Sequence, residues 1–243
     1  MLIRSIDTET TGEKPDIDII EIGWVNLVPI FHADEVPHHW EIDAPKSFLC
    51  DPGVPVSCES SAVNHITSAM ILGMEAPDVV ANRAFDVPHD TIFVGHNCDY
   101  DRALFGNRSH QWIDTYKIAV TLAPNAPSFK LQALRYWLKL DMDAALGYPA
   151  HRAAPDAYVT AVMLMRMLTK LSPEEMVDIS NRPVFLPRLF FGKWAKVPIG
   201  EVDEGYLNWI LDTHEKNPSE GFDDNVIFTA SEELRRRHQG GKS

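Results

Sequence analysis

An α/β domain on a mixed sheet, followed by a small C-terminal module, is the fold class that this sequence predicts. Three observations carry it. Runs rich in β-branched residues, separated by turn chemistry, fill the first third of the chain. After about residue 59, helical segments with start signals alternate with a short buried-strand signal. Near residues 181–190, Asn181, Pro183 and Pro187 break the regularity before a second, shorter set of elements. The two domains are expected at residues 1–182 and 183–243.

Residues 1–6 form a short apolar run that reads as a strand, with Asp7-Thr8-Glu9-Thr10 directly after it. Residues 11–16 are turn-like, residues 17–28 form a long β-branched strand and residues 38–42 a third, which together suggest an antiparallel meander. Thr67 is placed to cap a short helix reaching Leu72, residues 77–85 read as another helix, and residues 91–95 as a buried strand. Asp114-Thr115 suits the start of a helix to about Ala123, and residues 128–138 put Leu131, Leu134, Trp137 and Leu138 on one apolar face. The longest helix is expected at 155–171, opened by Pro155 and rich in Ala, Met and Leu. Ser172 and Glu175 have capping-box spacing. In the C-terminal module, residues 189–199 suggest a hairpin, 202–211 a helix, and 235–243 a frayed basic tail.

Composition narrows the function classes. A chain of 243 residues, 45% hydrophobic and 23% charged, is that of an ordinary soluble globular protein. No apolar run approaches the roughly 20 residues of a membrane span, and Asp7 and Glu9 interrupt any signal-like start. A cytoplasmic protein without membrane association is expected. Cys50, Cys58 and Cys98 form no C-x-x-C pair, which argues against a disulfide framework or structural zinc. The net charge of −13 argues against a general electrostatic grip on nucleic acid. It leaves room for an enzyme whose bound cations supply the local positive charge.

The chemistry-bearing residues fall in three clusters. Asp7 and Glu9, two apart at a strand end, leave the same face. Two such carboxylates repel each other unless a cation lies between them, and hard divalent ions take oxygen ligands. The second cluster is His96-Asn97-Cys98-Asp99-Tyr100-Asp101, where the 91–95 strand runs out. Both Asp99 and Asp101 are candidates, Asp99 also suiting a helix cap, and spacing alone does not choose. In the third, His151-Arg152-Ala153-Ala154-Pro155-Asp156, the acid lies in a first helical turn and the histidine in the loop before it. That division suits a metal ligand beside a general base.

The joint order D-x-E, H-N-x-x-Y-D, H-x₄-D resembles the DEDDh (DnaQ-like) family of 3′→5′ exonucleases, which have an RNase H-like mixed sheet flanked by helices. Asp7 and Glu9 match its first motif, Asp101, through the Tyr100-Asp101 ending, its second, and His151 with Asp156 its third. The resemblance implies two divalent ions, Mg²⁺ with Mn²⁺ as substitute, held by Asp7, Glu9, Asp101 and Asp156, with His151 activating the attacking water. Thr8, Thr10, Gly12, His65 and Asn97 are then expected to meet the substrate; His65 lies in Asn64-His65-Ile66-Thr67, similar to the family's H-x-I-T element. Phe191-Gly192-Lys193-Trp194 and Gly205-Tyr206-Leu207-Asn208-Trp209 resemble the small module of exodeoxyribonuclease X-like members. Two features depart from the family. Ala195-Lys196 stands where a glycine is usual, and Glu13 and Lys14 make the loop after the first motif more charged.

The implied function is hydrolysis of DNA phosphodiester bonds from single- or double-stranded 3′ ends, in repair or nucleotide recycling. The alternatives are an exoribonuclease acting on RNA, a proofreading subunit of a polymerase, and a silent nucleic-acid-binding domain. Clustered carboxylates give a pure binder nothing, which weighs against the last.

Overall fold

The computed structural model describes the chain apart from residues 13–16, 32–36, 107, 219–220 and 241–243; Glu13 and Lys14 therefore lie outside the described residues. Strand β1 (Ile3–Thr10) pairs antiparallel with the long β2 (Ile19–Phe31), which also pairs with β3 (Pro37–Ile42) and β4 (Lys46–Leu49). Helices α1 (Cys58–Asn64), α2 (Ser68–Ile71) and α3 (Pro77–Ala84) lead to β5 (Ile92–Gly95), α4 (Asp99–Phe105) and β6 (Gln111–Asp114). Then follow α5 (Thr115–Leu122), α6 (Leu131–Trp137), α7 (Ala153–Met167) and α8 (Pro173–Ser180). A 3₁₀ turn (Ile199–Glu201), α9 (Glu204–Lys216) and α10 (Asp224–Gly240) complete the described elements. The sheet runs β3-β2-β1-β5-β6, with β5 parallel to β1 and β6 parallel to β5. This is the mixed sheet expected.

The two faces of β1 set the layers of the first unit. Ile6, with Ile22 and Trp24 of β2, faces a cluster containing Phe85, Phe93, Phe105 and Trp112. On the same side Arg4 Nη1 donates to the Ala84 carbonyl at the end of α3. The alternate residues face α7, where the buried Ser5 Oγ donates to the Ala157 carbonyl at 2.8 Å. The helix covers the sheet with Ala153, Ala157, Ala161 and Leu164, all fully buried. Small residues let its backbone lie close to the strands, closest at Gly23. A Cβ built there would stand 2.2 Å from Ala154 N and 2.3 Å from Ala153 C.

Chain contacts divide the molecule into two compact units, residues 1–116 with 130–177, and residues 117–129 with 178–243. Segment 117–129, which the sequence places in the first domain, thus groups with the C-terminal residues. In this second unit Lys117 Nζ donates to the Ser180 carbonyl at 2.9 Å, and the Val184 and Leu186 N–H groups donate to Asn225 and Thr229 of α10. Phe191 stacks on Phe222 and Tyr206 on Trp209.

Several elements differ from the sequence reading. The first strand does not stop at Ile6, because ladder pairing continues through Asp7↔Gly23, Thr8↔Ile22 and Glu9↔Glu21. Strands β4 and β6, four residues each, and helix α1, whose Cys-Glu-Ser-Ser-Ala-Val-Asn run has no apolar stripe, gave too little pattern to read. Helix α7 begins at Ala153, so Pro155 is its third residue; N–H groups of the first turn have no intrahelical partner, and proline loses nothing there. The capping box forms as spaced, with Ser172 N–H donating to Glu175 at 2.7 Å and Glu175 N–H to Ser172 Oγ. The hairpin at 189–199 is replaced by turns and one bridge, Arg188↔Pro198, and Lys196 sits at φ 68°, in the left-handed region. The basic tail is helical to Gly240, with Arg235 paired to Glu232 and Arg236 and Arg237 to Glu233.

Gly23→Ala forces a methyl group into the α7 backbone and is expected to destabilise the protein by about 1–3 kcal/mol, measured by urea denaturation. An unchanged midpoint would show that α7 does not depend on this contact.

Candidate active site

Because side chains alternate along a strand, Asp7 and Glu9 leave β1 on the α7 side while Thr8 leaves on the other. Asp156, in the first turn of α7, completes a trio whose carboxylate oxygens all lie within 4.8 Å of one another. Asp101 approaches from α4; it is buried, and Thr8 Oγ1 donates to its Oδ1 at 2.6 Å. It lies outside the tight trio, yet its charge acts on Asp7. The two acids left open by spacing are now distinguished. Asp99 is the exposed first residue of α4, 3.4 Å from Arg102, and the cap position belongs to Cys98.

Crowding shows in the acidities. Burial pushes Asp7 well above the usual carboxyl range, and Asp101, Asp156, Glu9 and Glu21 add repulsion. Burial, then Asp156 and Glu21, push Glu9 up to about 8, against the pull of Arg152 and a hydrogen bond from Asn64. Asp101 is raised to about 6, chiefly by burial and against the Thr8 hydroxyl. Asp156 is raised by burial, opposed by the His151 N–H at 3.0 Å and Gln132 Nε2 at 2.5 Å. Carboxyls held toward their neutral form by burial and by like charges are a ready site for a cation. An all-oxygen donor set of this kind fits hard divalent ions.

Glu21, directly opposite Glu9 on β2, behaves in the reverse sense. Burial alone would raise it, but hydrogen bonds from Arg152, Ser47 and the Ala153 N–H outweigh burial and hold it below the ordinary value. Two facing glutamates thus have different tasks. One is a satisfied structural anion, the other a candidate ligand with a raised pKa.

The remaining expected residues lie around this cluster. His151 is exposed and sits at φ 59° in the loop before α7. Thr10 Oγ1 donates to the Gly12 carbonyl at 3.1 Å and lies 3.2 Å from Tyr100 Oη, linking β1 to α4. His65 closes α1 with φ 61° and an N–H to the Ser61 carbonyl, its side chain exposed. Asn97 serves the turn after β5 through its own backbone, at φ 62° with its N–H on Asp114 Oδ1 at 2.8 Å, and its side chain is exposed. The Thr8 hydroxyl, expected at the substrate, has the Asp101 carboxylate as its partner. Sequence reasoning missed Gln132, Asn64, Glu21, Arg152 and Gly23. Only Arg152, next to His151, and Asn64, next to His65, carried any local signal.

Known proteins match this arrangement. Residues 5–164 match the RNase T exonuclease family model. The chain is similar to exodeoxyribonuclease 10 of Escherichia coli K12, at 31% identity over 86% of this chain and 90% of that protein. It is also similar to the epsilon subunit of DNA polymerase III from Treponema pallidum, at 28% identity over 68% and 75%. Among solved structures, exonuclease X in complex with 5′-overhanging duplex DNA superposes with a TM-score of 0.62, at 30% identity over 73% of this chain and 99% of that one. The nuclease domain of 3′hExo, a DEDDh family member bound to rAMP, shares the fold with a TM-score of 0.51, at 19% identity over 69% and 92%. With the family model spanning most of the chain and the acids of the three motifs gathered at the end of β1, the chain belongs to the RNase T exonuclease family, in its DEDDh 3′→5′ branch.

Proposed function

We propose that this 3′→5′ exonuclease acts on DNA, removing nucleoside 5′-monophosphates from 3′ ends with two divalent ions, Mg²⁺ or Mn²⁺. The observation that carries the reading is the trio Asp7, Glu9 and Asp156 with Asp101 beside it, and with His151 on the loop that grips Asp156. DNA is favoured over RNA by the similarity to exodeoxyribonuclease 10 and exonuclease X. The unit of residues 1–116 with 130–177 carries the activity, the unit of residues 117–129 with 178–243 forms an accessory module, and the setting that fits is the cytoplasm.

When bound, such ions lower the pKa of the attacking water and stabilise the leaving 3′ oxygen. The chain's own residues do the rest. Asp7, Glu9, Asp101 and Asp156 hold the ions, Asp156 from a helix and Asp7 and Glu9 from a strand, so that little reorganisation is needed. His151 accepts the water's proton, its loop fixed by the N–H to Asp156 Oδ2. Thr10, Gly12, His65 and Asn97 contact the terminal nucleotide, while Thr8 acts by steadying Asp101.

The experiment is incubation of 5′-labelled DNA and RNA, single- and double-stranded, with Mg²⁺, Mn²⁺ or chelator. A ladder shortened from the 3′ end on DNA, lost with chelator, is expected; cleavage of RNA alone would transfer the reading to an exoribonuclease. His151→Ala is expected to slow DNA turnover about 10²–10⁴-fold while Mn²⁺ binding, followed by calorimetry, survives. A fully active variant would remove His151 from the mechanism.

The raised pKa of Glu9 also fixes a sign. The unfolded chain releases that proton near 4.5 and the folded chain near 8. Between those values the folded state holds the extra proton, so this group's contribution to stability falls as pH rises. Compared in chelator, Glu9→Gln should therefore gain in melting temperature over the wild type from about pH 4.5 upward, levelling near pH 8. Added Mn²⁺ should restore the wild type at high pH. A gap that narrows with rising pH would contradict the crowding argument.

A further inference from the structure

We propose that Glu21 and Arg152 are positioning residues for His151, forming an ion pair between a buried carboxylate and a half-buried guanidinium that fixes the loop ahead of α7 without binding metal or substrate. The proposal rests on the reading of His151 as proton acceptor. Glu21 is 1% exposed, in the part of β2 that faces α7. Its Oε2 accepts from Arg152 Nε at 2.9 Å and from Ala153 N–H at 3.0 Å; its Oε1 accepts from Arg152 Nη2 at 2.6 Å and from Ser47 Oγ. Four donors on two oxygens leave the carboxylate little capacity for an ion, although it lies opposite the ligand Glu9.

What this pair holds is the start of α7. Arg152 is the N-cap residue, extended at φ −133°, and makes no capping hydrogen bond with its own side chain. Glu21 supplies the acceptor instead, reaching from β2 to the first N–H of the helix. His151, one residue earlier, is in the left-handed region, a conformation unfavourable for a residue with a Cβ and retained only where its surroundings impose it. Here they act from both sides. The His151 N–H is tied to Asp156 Oδ2, and the next residue is clamped to the sheet by a bidentate fork. An ion pair with a buried carboxylate gains little over apolar packing, so its value here lies in the geometry that it imposes. Lysine keeps the charge of Arg152 but cannot form the fork.

The test is a double-mutant cycle on the full chain with labelled DNA and Mn²⁺. Arg152→Lys is expected to lower kcat about 10–100-fold with KM and calorimetric Mn²⁺ affinity within about twofold. In the His151→Ala background it should add no more than about a further twofold, since no base remains to be positioned. Glu21→Gln, close in shape, repeats the cycle and covers the case in which Arg152→Lys does not fold. Losses that multiply with His151→Ala, or wild-type kcat in both single variants, would overturn the proposal. Weakened Mn²⁺ binding by Glu21→Gln would recast Glu21 as a support of the metal site. Full activity of His151→Ala would instead fail the mechanism beneath it, a distinguishable result.

Discussion

The approach of α7 to the backbone of β2 at Gly23 is the constraint on which the rest of the site depends. No side chain fits between that glycine and the Ala153–Ala154 peptide, so the helix start lies directly on the sheet. Gly23 is also the ladder partner of Asp7. The contact that admits the helix therefore sets Asp156, three residues after Ala153, beside the acids of β1. A side chain at position 23 would lift the helix and widen the trio. Packing and chemistry here are one geometric fact.

Bringing acids this close is unfavourable in the isolated protein, and the structure confines that cost. Thr8 donates to Asp101; Gln132 and the His151 N–H donate to Asp156; Asn64 reaches Glu9. These hydrogen bonds orient the carboxylates but do not neutralise them. Asp7 and Glu9 keep pKa values well above the ordinary carboxyl range, the property that makes a cluster recruit cations. Glu21 shows what full neutralisation looks like a single ladder step away. Given a guanidinium and two further donors, the same side chain becomes a fixed part of the framework. Environment, not residue type, separates ligand from framework.

How much of this was legible in the sequence follows from the range of each signal. Asp7-Thr8-Glu9, Tyr100-Asp101 and His151 to Asp156 are short local patterns, and the structure gathers their acids at one strand end. The mixed sheet was readable because β1 and β2 are long strands and β5, although only four residues, is an unbroken buried apolar run. Glu21, Gln132 and Gly23 were not readable, because each acts through a partner more than 20 residues away that only the tertiary fold supplies. The second unit was misread where pattern imitates structure. Two apolar stretches around Gly192-Lys193 suggest a hairpin at 189–199, yet Pro198 and the turns around Gly192 and Lys196 leave one bridge. Arg235-Arg236-Arg237 looked like a basic tail because its partners, Glu232 and Glu233, precede it on the same helix.

Those pairings bear on how a chain of net charge −13 can act on a polyanion. Several arginines of the kind that line a phosphate track are paired with acids, Arg83 with Glu75, Arg102 with Asp99, and Arg235 to Arg237 along α10. Affinity gained by releasing counterions from a long stretch of nucleic acid grows with the number of phosphates neutralised. An acidic surface with paired arginines is suited to few such contacts. On the proposed reading, attraction is concentrated where four carboxylates would hold cations, and a cation there would meet one phosphate rather than a groove of them. An enzyme that works at a chain end needs no more than this, since the end supplies the register that a binder of internal sites must obtain from many contacts. The acidity that argues against a general nucleic-acid binder is thus the expected companion of a metal-centred exonuclease.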